Sequence, residues 1–251
     1  SWKESRHRKP LILQGARQVG KTYSILEFGR THYENVAYFN FETNPKLNET
    51  FEENISPDYL IPILSHIAGQ TIVTEKTLIV FDEVQLCERA LNSLRFFSGS
   101  GWRICATGSQ LGVATRKRKL PFPSGVRQET MHPMSFGEFL WALDEEQMAD
   151  AIRTHAGTLE TYAAHQAALS LFHRYQIVGG MPAAVNAYRK TLSIEDARVE
   201  QREIDETYTA DMTDPENGIS GVAARKVWRS IPSQLLRSST KKFKYSEVER
   251  G

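Results

Sequence analysis

Short apolar runs alternate with longer amphipathic stretches in the first half of the chain. The apolar runs, rich in Ile, Val, Phe and Tyr, are residues 10–14, 35–42, 77–83 and 102–109. Because nearly every position in these runs is apolar or small, they predict strands buried on both faces, as in a parallel sheet. Helical spacing of apolar residues is found between them, in residues 21–33, 57–69 and 88–99. Alternating strands and helices predict crossover units and an α/β domain.

The periodicity becomes helical after about residue 135, and strand-like runs become scarce. We therefore expect an α/β domain in residues 1–145 and a mainly helical domain in residues 146–236. Residues 237–251 are apolar and basic, which predicts the start of a further domain that is truncated here. The serine at position 1 in place of methionine agrees with that expectation.

Composition narrows the function classes only slightly. The 251 residues include 31 Lys and Arg against 30 Asp and Glu, so any nucleic-acid contact would need a local basic patch. Cys87 and Cys105 lie in or beside apolar runs without metal-ligand spacing, which indicates buried thiols and a cytoplasmic location. The apolar runs are far shorter than the roughly 20 residues of a membrane helix, so we expect no membrane association.

The first candidate site follows the first predicted strand and precedes a predicted helix. Its sequence is Gly15, Ala16, Arg17, Gln18, Val19, Gly20, Lys21 and Thr22. Glycines allow the backbone N–H groups to approach phosphate at a helix N-terminus, the lysine can reach the β- and γ-phosphates, and the hydroxyl can bind Mg²⁺. A glycine turn with a chance lysine is the alternative. The context favours a phosphate loop, with Tyr23 included in the expected nucleotide contacts.

A second candidate site closes the third predicted strand, where Asp82 and Glu83 follow the apolar run. In P-loop ATPases a carboxylate at this position holds the Mg²⁺ shell, and the next one activates water. We therefore expect Asp82 to serve the metal, with Thr22, and Glu83 to act as general base. The alternative, that Asp82 only caps the following helix, is weakened by the adjoining carboxylate.

Two further features concern the reaction type. A water-polarising carboxylate such as Glu83 favours hydrolysis over transfer to a bound acceptor, and the sequence has no Asn-Lys-x-Asp motif, so we expect ATP rather than GTP. The strand that ends in Thr107, Gly108 and Ser109 should finish beside Asp82. We choose Ser109 as the residue that senses the γ-phosphate and keep Thr107 in reserve, although ordinary turn chemistry explains both equally well.

Several stretches together resemble one known family. They are GARQVGKT, YFNFE, VFDEVQ, ALNSLRFF, ATGSQLGVA, FPSG, HPMSFGEFL and VGGMPAAV. The chain is similar, from about residue 8 to its end, to prokaryotic AAA-domain P-loop ATPases of the additional-strand catalytic-glutamate division, which carry a C-terminal domain of unknown function. One departure is that Gly125 is followed by Val126, where relatives usually have a lysine or similar residue.

The resemblance implies a five-stranded parallel sheet with helices on both faces, a helical lid and a winged-helix-like C-terminal segment. It agrees with ATP and Mg²⁺ as ligands and with the roles expected above for Lys21, Glu83 and Ser109. It leaves the biological task open: self-association, a protein partner and DNA all remain candidates. A slow nucleotide-dependent switch and a DNA-associated ATPase are the alternative functions.

No arginine has a sequence context that identifies it as a finger reaching the γ-phosphate. Arg116 and Arg118 lie in a basic run that could supply such a finger or bind nucleic-acid phosphates, but a solvated loop is the favoured interpretation of this run. Arg127 is a further candidate. We therefore expect a second subunit or the C-terminal part to supply this group. Residues 179–182, Gly-Gly-Met-Pro, predict a sharp turn between helices, with a nucleotide-linked hinge as a second interpretation.

Overall fold

The fold is taken from a computed structural model, which describes Trp2 and residues 8–109, 123–158, 163–213, 220–237 and 242–250. Contacts divide the chain into two compact units, the first ending at Pro133 and the second beginning at Met134. The domain boundary that the sequence predicts, after residue 145, stays a prediction. The contact boundary falls earlier because the helix that begins at Phe136 packs with later helices.

The first unit alternates strands and helices as the apolar pattern predicts. Its regular elements are β1 (Leu11–Gly15), α1 (Lys21–His32), β2 (Asn35–Asn40), a 3-10 helix (Pro45–Phe51), α2 (Pro57–Ala68), β3 (Thr77–Asp82), a 3-10 turn (Val84–Leu86), α3 (Glu88–Phe97), β4 (Arg103–Ser109) and β5 (Arg127–Thr130). The predicted strands and helices of this unit are thus found within one or two residues of their expected ends.

The five strands form one parallel sheet in the order β2-β3-β4-β1-β5. Strand β4 lies between β1 and β3, so an additional strand separates the strand before the phosphate loop from the strand that ends in Asp82. This order confirms the parallel five-stranded fold that the resemblance implies. All five strands point the same way, so the loops that follow β1, β3 and β4 emerge at one edge of the sheet.

Alternate residues of the central strands pack on opposite faces of the sheet. Ile79 and Phe81 belong to a core that also contains residues of α2 and α3. Leu78 and Val80 belong to a second core with Ile25 of α1. Because both faces are covered, every residue of β3 is buried, which explains the uninterrupted apolar run in the sequence.

Strand β5 is a strand of the first unit that the apolar pattern does not show. Its four residues are Arg-Gln-Glu-Thr and all are exposed. It pairs with β1 at the edge of the sheet through its backbone. A strand at a sheet edge needs no apolar side chains, so only the resemblance indicated a fifth strand.

In the second unit the described regular structure is helical. It consists of α4 (Phe136–Ala142), α5 (Glu146–His155), α6 (His165–Val178), α7 (Pro182–Thr191), α8 (Ile194–Thr213), α9 (Gly221–Arg237) and a 3-10 helix (Tyr245–Arg250). Ser135 and Glu138 form a capping box at the start of α4. Phe139, Val185 and Tyr188 pack in the core of this unit. The winged-helix-like start after residue 237 remains a prediction.

The Gly-Gly-Met-Pro segment joins α6 to α7 by a sharp turn, as predicted. Gly179 has φ 75°, in the left-handed region that favours glycine. A Cβ on Gly180 would lie 2.1 Å from the carbonyl oxygen of Met134. The Met134 N–H donates to the Gly180 carbonyl at 2.7 Å, and the Tyr175 hydroxyl donates to the Met134 carbonyl at 2.8 Å. The first residue of the second unit is therefore fixed to this turn.

Candidate nucleotide-binding site

The predicted phosphate loop, residues 15–22, spans the end of β1, the connection to α1 and the first residues of α1. Gly20 precedes α1 with φ 96° and ψ 15°, and no side chain caps this end of the helix. Gln18 also has a positive φ, 63°. Left-handed residues turn the loop back on itself, and the first N–H groups of α1 have no partner within the helix. An uncapped helix N-terminus behind such a loop is suited to bind an anion.

Gly15 is required by a close backbone approach. A Cβ at this position would lie 2.3 Å from the carbonyl oxygen of Met131, which follows β5. The Met131 N–H donates to the Gln14 carbonyl at 2.7 Å, which keeps the two chains together. The glycine that begins the loop is therefore explained by packing as well as by its place in the motif.

Lys21 is the only lysine of the described residues that is buried. Its ammonium group donates to the carbonyl oxygens of Gly15, at 3.1 Å, and Ala16, at 2.9 Å. Burial lowers the pKa of Lys21 below its ordinary value, while the carboxylates of Glu83 and Asp82 act in the opposite direction. A cation held inside the curve of the loop offers its charge to an anion that binds there.

Asp82 collects hydrogen bonds from three neighbouring elements. Thr22 of α1 donates to its Oδ1 at 2.9 Å, and Thr107 of β4 donates to the same oxygen. Tyr38 and Asn40 of β2 donate to its Oδ2 at 2.6 and 3.0 Å. These four bonds fill the acceptor sites of the carboxylate. Asp82 does not cap α3, because Cys87 occupies that position and its sulfur accepts from the Ala90 N–H.

Glu83 follows Asp82 in a left-handed conformation, with φ 52° and ψ 45°. Such a conformation is uncommon for a residue with a side chain and is often found at functional sites. The Glu83 N–H donates to Thr107 Oγ1 at 3.0 Å, and Gln85 donates to Glu83 Oε2 at 2.5 Å. Thr107 therefore links both carboxylate residues to the end of β4.

Ser109 lies beside the start of the phosphate loop, since it pairs in register with Gly15. Its side chain is buried, yet its hydroxyl has no hydrogen-bond partner among the described residues. A buried hydroxyl without a partner is costly and rare in folded proteins. At this position, an oxygen of a bound ligand or water is the partner we expect.

Tyr38 and Asn40 are site residues that the sequence reasoning missed. They are two positions apart on β2, so they share a face of the strand, and β2 is the neighbour of β3. That alternation was the available signal. Burial and the hydrogen bond to Asp82 raise the pKa of Tyr38 to about 12, so its proton stays on the phenol at neutral pH.

Other predicted residues lie outside this network of contacts or outside the described residues. Arg17 forms an ion pair with Glu42 at 2.5 Å, and the Tyr23 side chain is 74% exposed. Arg127 of β5 is exposed and pairs with Glu129 at 2.7 Å. Arg116 and Arg118 are in residues 110–122, which the structure does not describe. Their proposed roles stay predictions.

Cys87 and Cys105 are both buried and are free cysteines. Burial raises the pKa of the Cys105 thiol well above its usual range, which keeps it protonated and unreactive.

None of the helices in the described parts of the chain has the length and apolar character that crossing a bilayer requires.

Three solved structures are similar to this chain at low sequence identity. A chain of Drosophila ORC bound to DNA shares 13% identity at a TM-score of 0.37, and the match covers 98% of this chain and 66% of that one. The Aeropyrum pernix ORC1 protein in complex with DNA shares 13% at 0.37, covering 99% and 72%. Cdc6p from Pyrobaculum aerophilum shares 14% at 0.34, covering 99% and 74%.

Comparison with protein families identifies two regions of this chain. No curated protein matches this chain. Residues 169–251 match a domain of unknown function, DUF8612. Residues 7–140, which are more than half of the chain and include the phosphate loop and the Asp82-Glu83 pair, match the family described as AAA domain. By this match, and in agreement with its parallel sheet and additional strand, the chain belongs to the AAA-domain family of nucleotide-binding ATPases.

Proposed function

We propose that this protein binds Mg-ATP in the phosphate loop and hydrolyses it, with Glu83 as the general base. The observation that carries the proposal is the meeting of three elements at one sheet edge. The buried Lys21 lies inside the loop, Thr22 is hydrogen bonded to Asp82, and Glu83 is fixed next to them by Thr107. The alternative, a turn with a chance lysine, does not account for the two carboxylates beside it or for a buried hydroxyl that has no partner among the described residues.

The phosphate-binding groups are the backbone of residues 15–22 and the ammonium group of Lys21. This group donates to two loop carbonyls, at 2.9 and 3.1 Å. Binding of the β- and γ-phosphates would replace these neutral acceptors with charged ones. Charge-assisted hydrogen bonds are roughly twice as strong as neutral ones, so the exchange favours binding.

The residues present also fit Mg²⁺, which prefers oxygen ligands and is commonly held by one or two protein groups together with substrate phosphates. Thr22 directs its proton to Asp82, so the lone pairs of its oxygen remain available to the ion. Four hydrogen bonds hold the Asp82 carboxylate in place, and the carboxylate in turn fixes the orientation of the Thr22 hydroxyl. When bound, Mg²⁺ supplies charge stabilisation for the phosphoryl group that is transferred.

The chain's own part in the reaction is then proton transfer and positioning. The water oxygen forms a bond to the γ-phosphorus, and the bond from phosphorus to the bridging oxygen breaks, with its electron pair leaving on ADP. Glu83 takes the proton of the attacking water. The unpartnered hydroxyl of Ser109 interacts with the γ-phosphate or with that water. Movement of the helical part in response to the nucleotide is the proposed output.

A nucleotide-dependent switch with slow hydrolysis is the second candidate. It is favoured by Arg17, the arginine of the phosphate loop, whose guanidinium is in an ion pair with Glu42. An arginine that neutralises charge in the transition state can contribute about 10³–10⁵ in rate. If such a group comes from a neighbouring molecule, the isolated chain binds ATP and hydrolyses it slowly. Steady-state turnover with and without DNA also distinguishes a DNA-associated ATPase from both.

Isothermal titration calorimetry with Mg-ATP tests the phosphate-loop assignment. We expect Lys21→Ala to lose most of the affinity of the parent protein. Lys76→Ala is the matched control, because Lys76 lies on the surface of the same unit in an ion pair with Glu34 at 2.9 Å. Equal affinities for the parent and Lys21→Ala would contradict the assignment.

A further inference from the structure

Gln85 carries a side-chain amide of which only one half is hydrogen bonded. Its nitrogen Nε2 donates to Glu83 Oε2 at 2.5 Å. Because a carboxylate can only accept, the nitrogen must face Glu83 and the amide oxygen Oε1 must face away from it. That oxygen is buried, and it has no hydrogen-bond partner among the described residues.

This arrangement is costly for the folded protein. A buried polar atom without a partner destabilises the folded state, and replacement by an apolar group of the same shape can be neutral or stabilising. The amide of Gln85 therefore adds little to stability, although it makes a short bond to the proposed general base. A cost of this kind at a candidate active site indicates a functional role.

The backbone brings Gln85 to this position. Glu83 is left-handed, and the 3-10 turn Val84–Leu86 follows it, with the Leu86 N–H donating to the Glu83 carbonyl at 3.0 Å. The Glu83 N–H is bound to Thr107. The main chain of Glu83 is thus fixed from β4, and the contact with Gln85 fixes its carboxylate.

The free oxygen of the amide lies against the end of β4. A Cβ placed on Gly108 would be 3.2 Å from Gln85 Oε1. The hydroxyl of the next residue, Ser109, is also buried and also has no partner in the part of the chain that the structure describes. Two unsatisfied oxygens are therefore associated with neighbouring residues of β4, beside the carboxylate that is proposed to activate water.

We propose that Gln85 is a positioning residue for the hydrolytic reaction. Its amide holds one carboxylate oxygen of Glu83, so that the other oxygen is directed to receive the proton of the attacking water. This role rests on the proposed function, because it requires that Glu83 acts on water. Hydrogen-bond partners that orient metal ligands typically contribute about 10- to 100-fold to activity, and we expect the same range for a partner that orients a general base.

The test is Gln85→Met in the complete protein, since methionine keeps the length of the side chain and removes its donor and acceptor. We expect kcat to fall about 10- to 100-fold, with unchanged affinity for Mg-ATP and a thermal midpoint equal to or above that of the parent. Gln70→Met is the matched control, because Gln70 donates to the Val36 carbonyl at 2.7 Å. It should lower the thermal midpoint and leave kcat at the parental value.

A double-mutant cycle separates positioning from a purely structural role. If Gln85 acts through Glu83, then adding Gln85→Met to Glu83→Gln should cause no further loss of rate in single-turnover measurements. A parental kcat for Gln85→Met, or full additivity of the two substitutions, would overturn the role of Gln85 alone. A parent protein that binds Mg-ATP without hydrolysing it would overturn the proposed hydrolysis and this role together.

Discussion

Removing either of two hydroxyl groups at the end of β4 should have different effects on the protein. Thr107 and Ser109 are both buried, but Thr107 is hydrogen bonded to Asp82 and to the Glu83 N–H, whereas Ser109 has no partner among the described residues. The substitutions Thr107→Val and Ser109→Ala each remove one hydroxyl from the same strand. We expect the first to affect stability and the second to affect function alone.

The magnitude for Thr107→Val follows from its two contacts. A hydrogen bond to a charged group contributes about 1.5–3 kcal/mol, and a buried N–H left without a partner costs about 1–3 kcal/mol. Asp82 keeps its three other donors, and valine fills the volume of threonine. Because the Glu83 N–H is only partly buried, its cost lies at the low end of that range, and we therefore expect a loss of about 2.5–4 kcal/mol in the free energy of unfolding, which corresponds to roughly 5–16 °C in thermal midpoint for a chain of this size.

Ser109→Ala removes a hydroxyl that makes no bond to a described residue, so the free energy of unfolding should change by no more than about 1 kcal/mol, and the change should be zero or stabilising. If Ser109 contacts the γ-phosphate or the attacking water, its loss removes a bond to a charged or reacting group. Such a bond is equivalent to a fall of roughly 10- to 100-fold in kcat.

Differential scanning calorimetry without nucleotide and steady-state hydrolysis with Mg-ATP measure the two effects separately. Equal destabilisation by both substitutions would mean that Ser109 has a structural partner, and it would refute the reasoning from its unsatisfied hydroxyl. A parental kcat for Ser109→Ala, with unchanged stability, would refute the sensor role and direct attention to Thr107.

Three further predictions concern other parts of the molecule. The pKa of Tyr38 is raised from an ordinary 10.0 to about 12, so the protonated phenol stabilises the fold below pH 10, and this contribution is lost as the pH rises through 12. Tyr38→Phe should therefore lose less stability than the parent between pH 10 and pH 12, as measured by urea unfolding. Gly180→Ala should destabilise the second unit by about 1–3 kcal/mol in calorimetry, because its Cβ would meet a backbone oxygen. Gly137→Ala in α4 is the control and should be neutral or stabilising, because the atom nearest to its Cβ would be 4.0 Å away. Equal effects of the two substitutions would contradict the close approach at Gly180. Turnover per molecule should rise with protein concentration if a neighbour supplies the missing arginine, and a constant rate of about 1 s⁻¹ or faster from a monomer would contradict that source.

The central sheet could be predicted because its residues are selected by burial on both faces. The uninterrupted apolar run of β3 and the alternation of helices with strands are direct consequences of a covered parallel sheet. The exposed edge strand β5 left no such trace, because its backbone pairs with β1 while its four side chains face solvent. Helix ends and strand ends were also less well defined than the elements themselves.

The candidate site was predictable where a motif combines several residues in a short stretch. The phosphate loop and the Asp82-Glu83 pair are of this kind, and the sheet order explains why they meet. Tyr38 and Asn40 could not be assigned without knowing that β2 lies beside β3. Gln85 required still more, since an unpaired amide oxygen is visible only when all its neighbours are placed.

The most direct test of the central claim is Mg-dependent ATP hydrolysis by the parent protein and by Glu83→Gln, measured together with Mg-ATP affinity. Glu34→Gln is the control, because Glu34 is an exposed residue of the same unit paired with Lys76. Our account predicts parental affinity in all three proteins, parental turnover in Glu34→Gln, and a fall of about 10²–10⁴-fold in Glu83→Gln. Parental turnover by Glu83→Gln, or a parent that binds ATP and releases no phosphate in a single-turnover experiment, would contradict it.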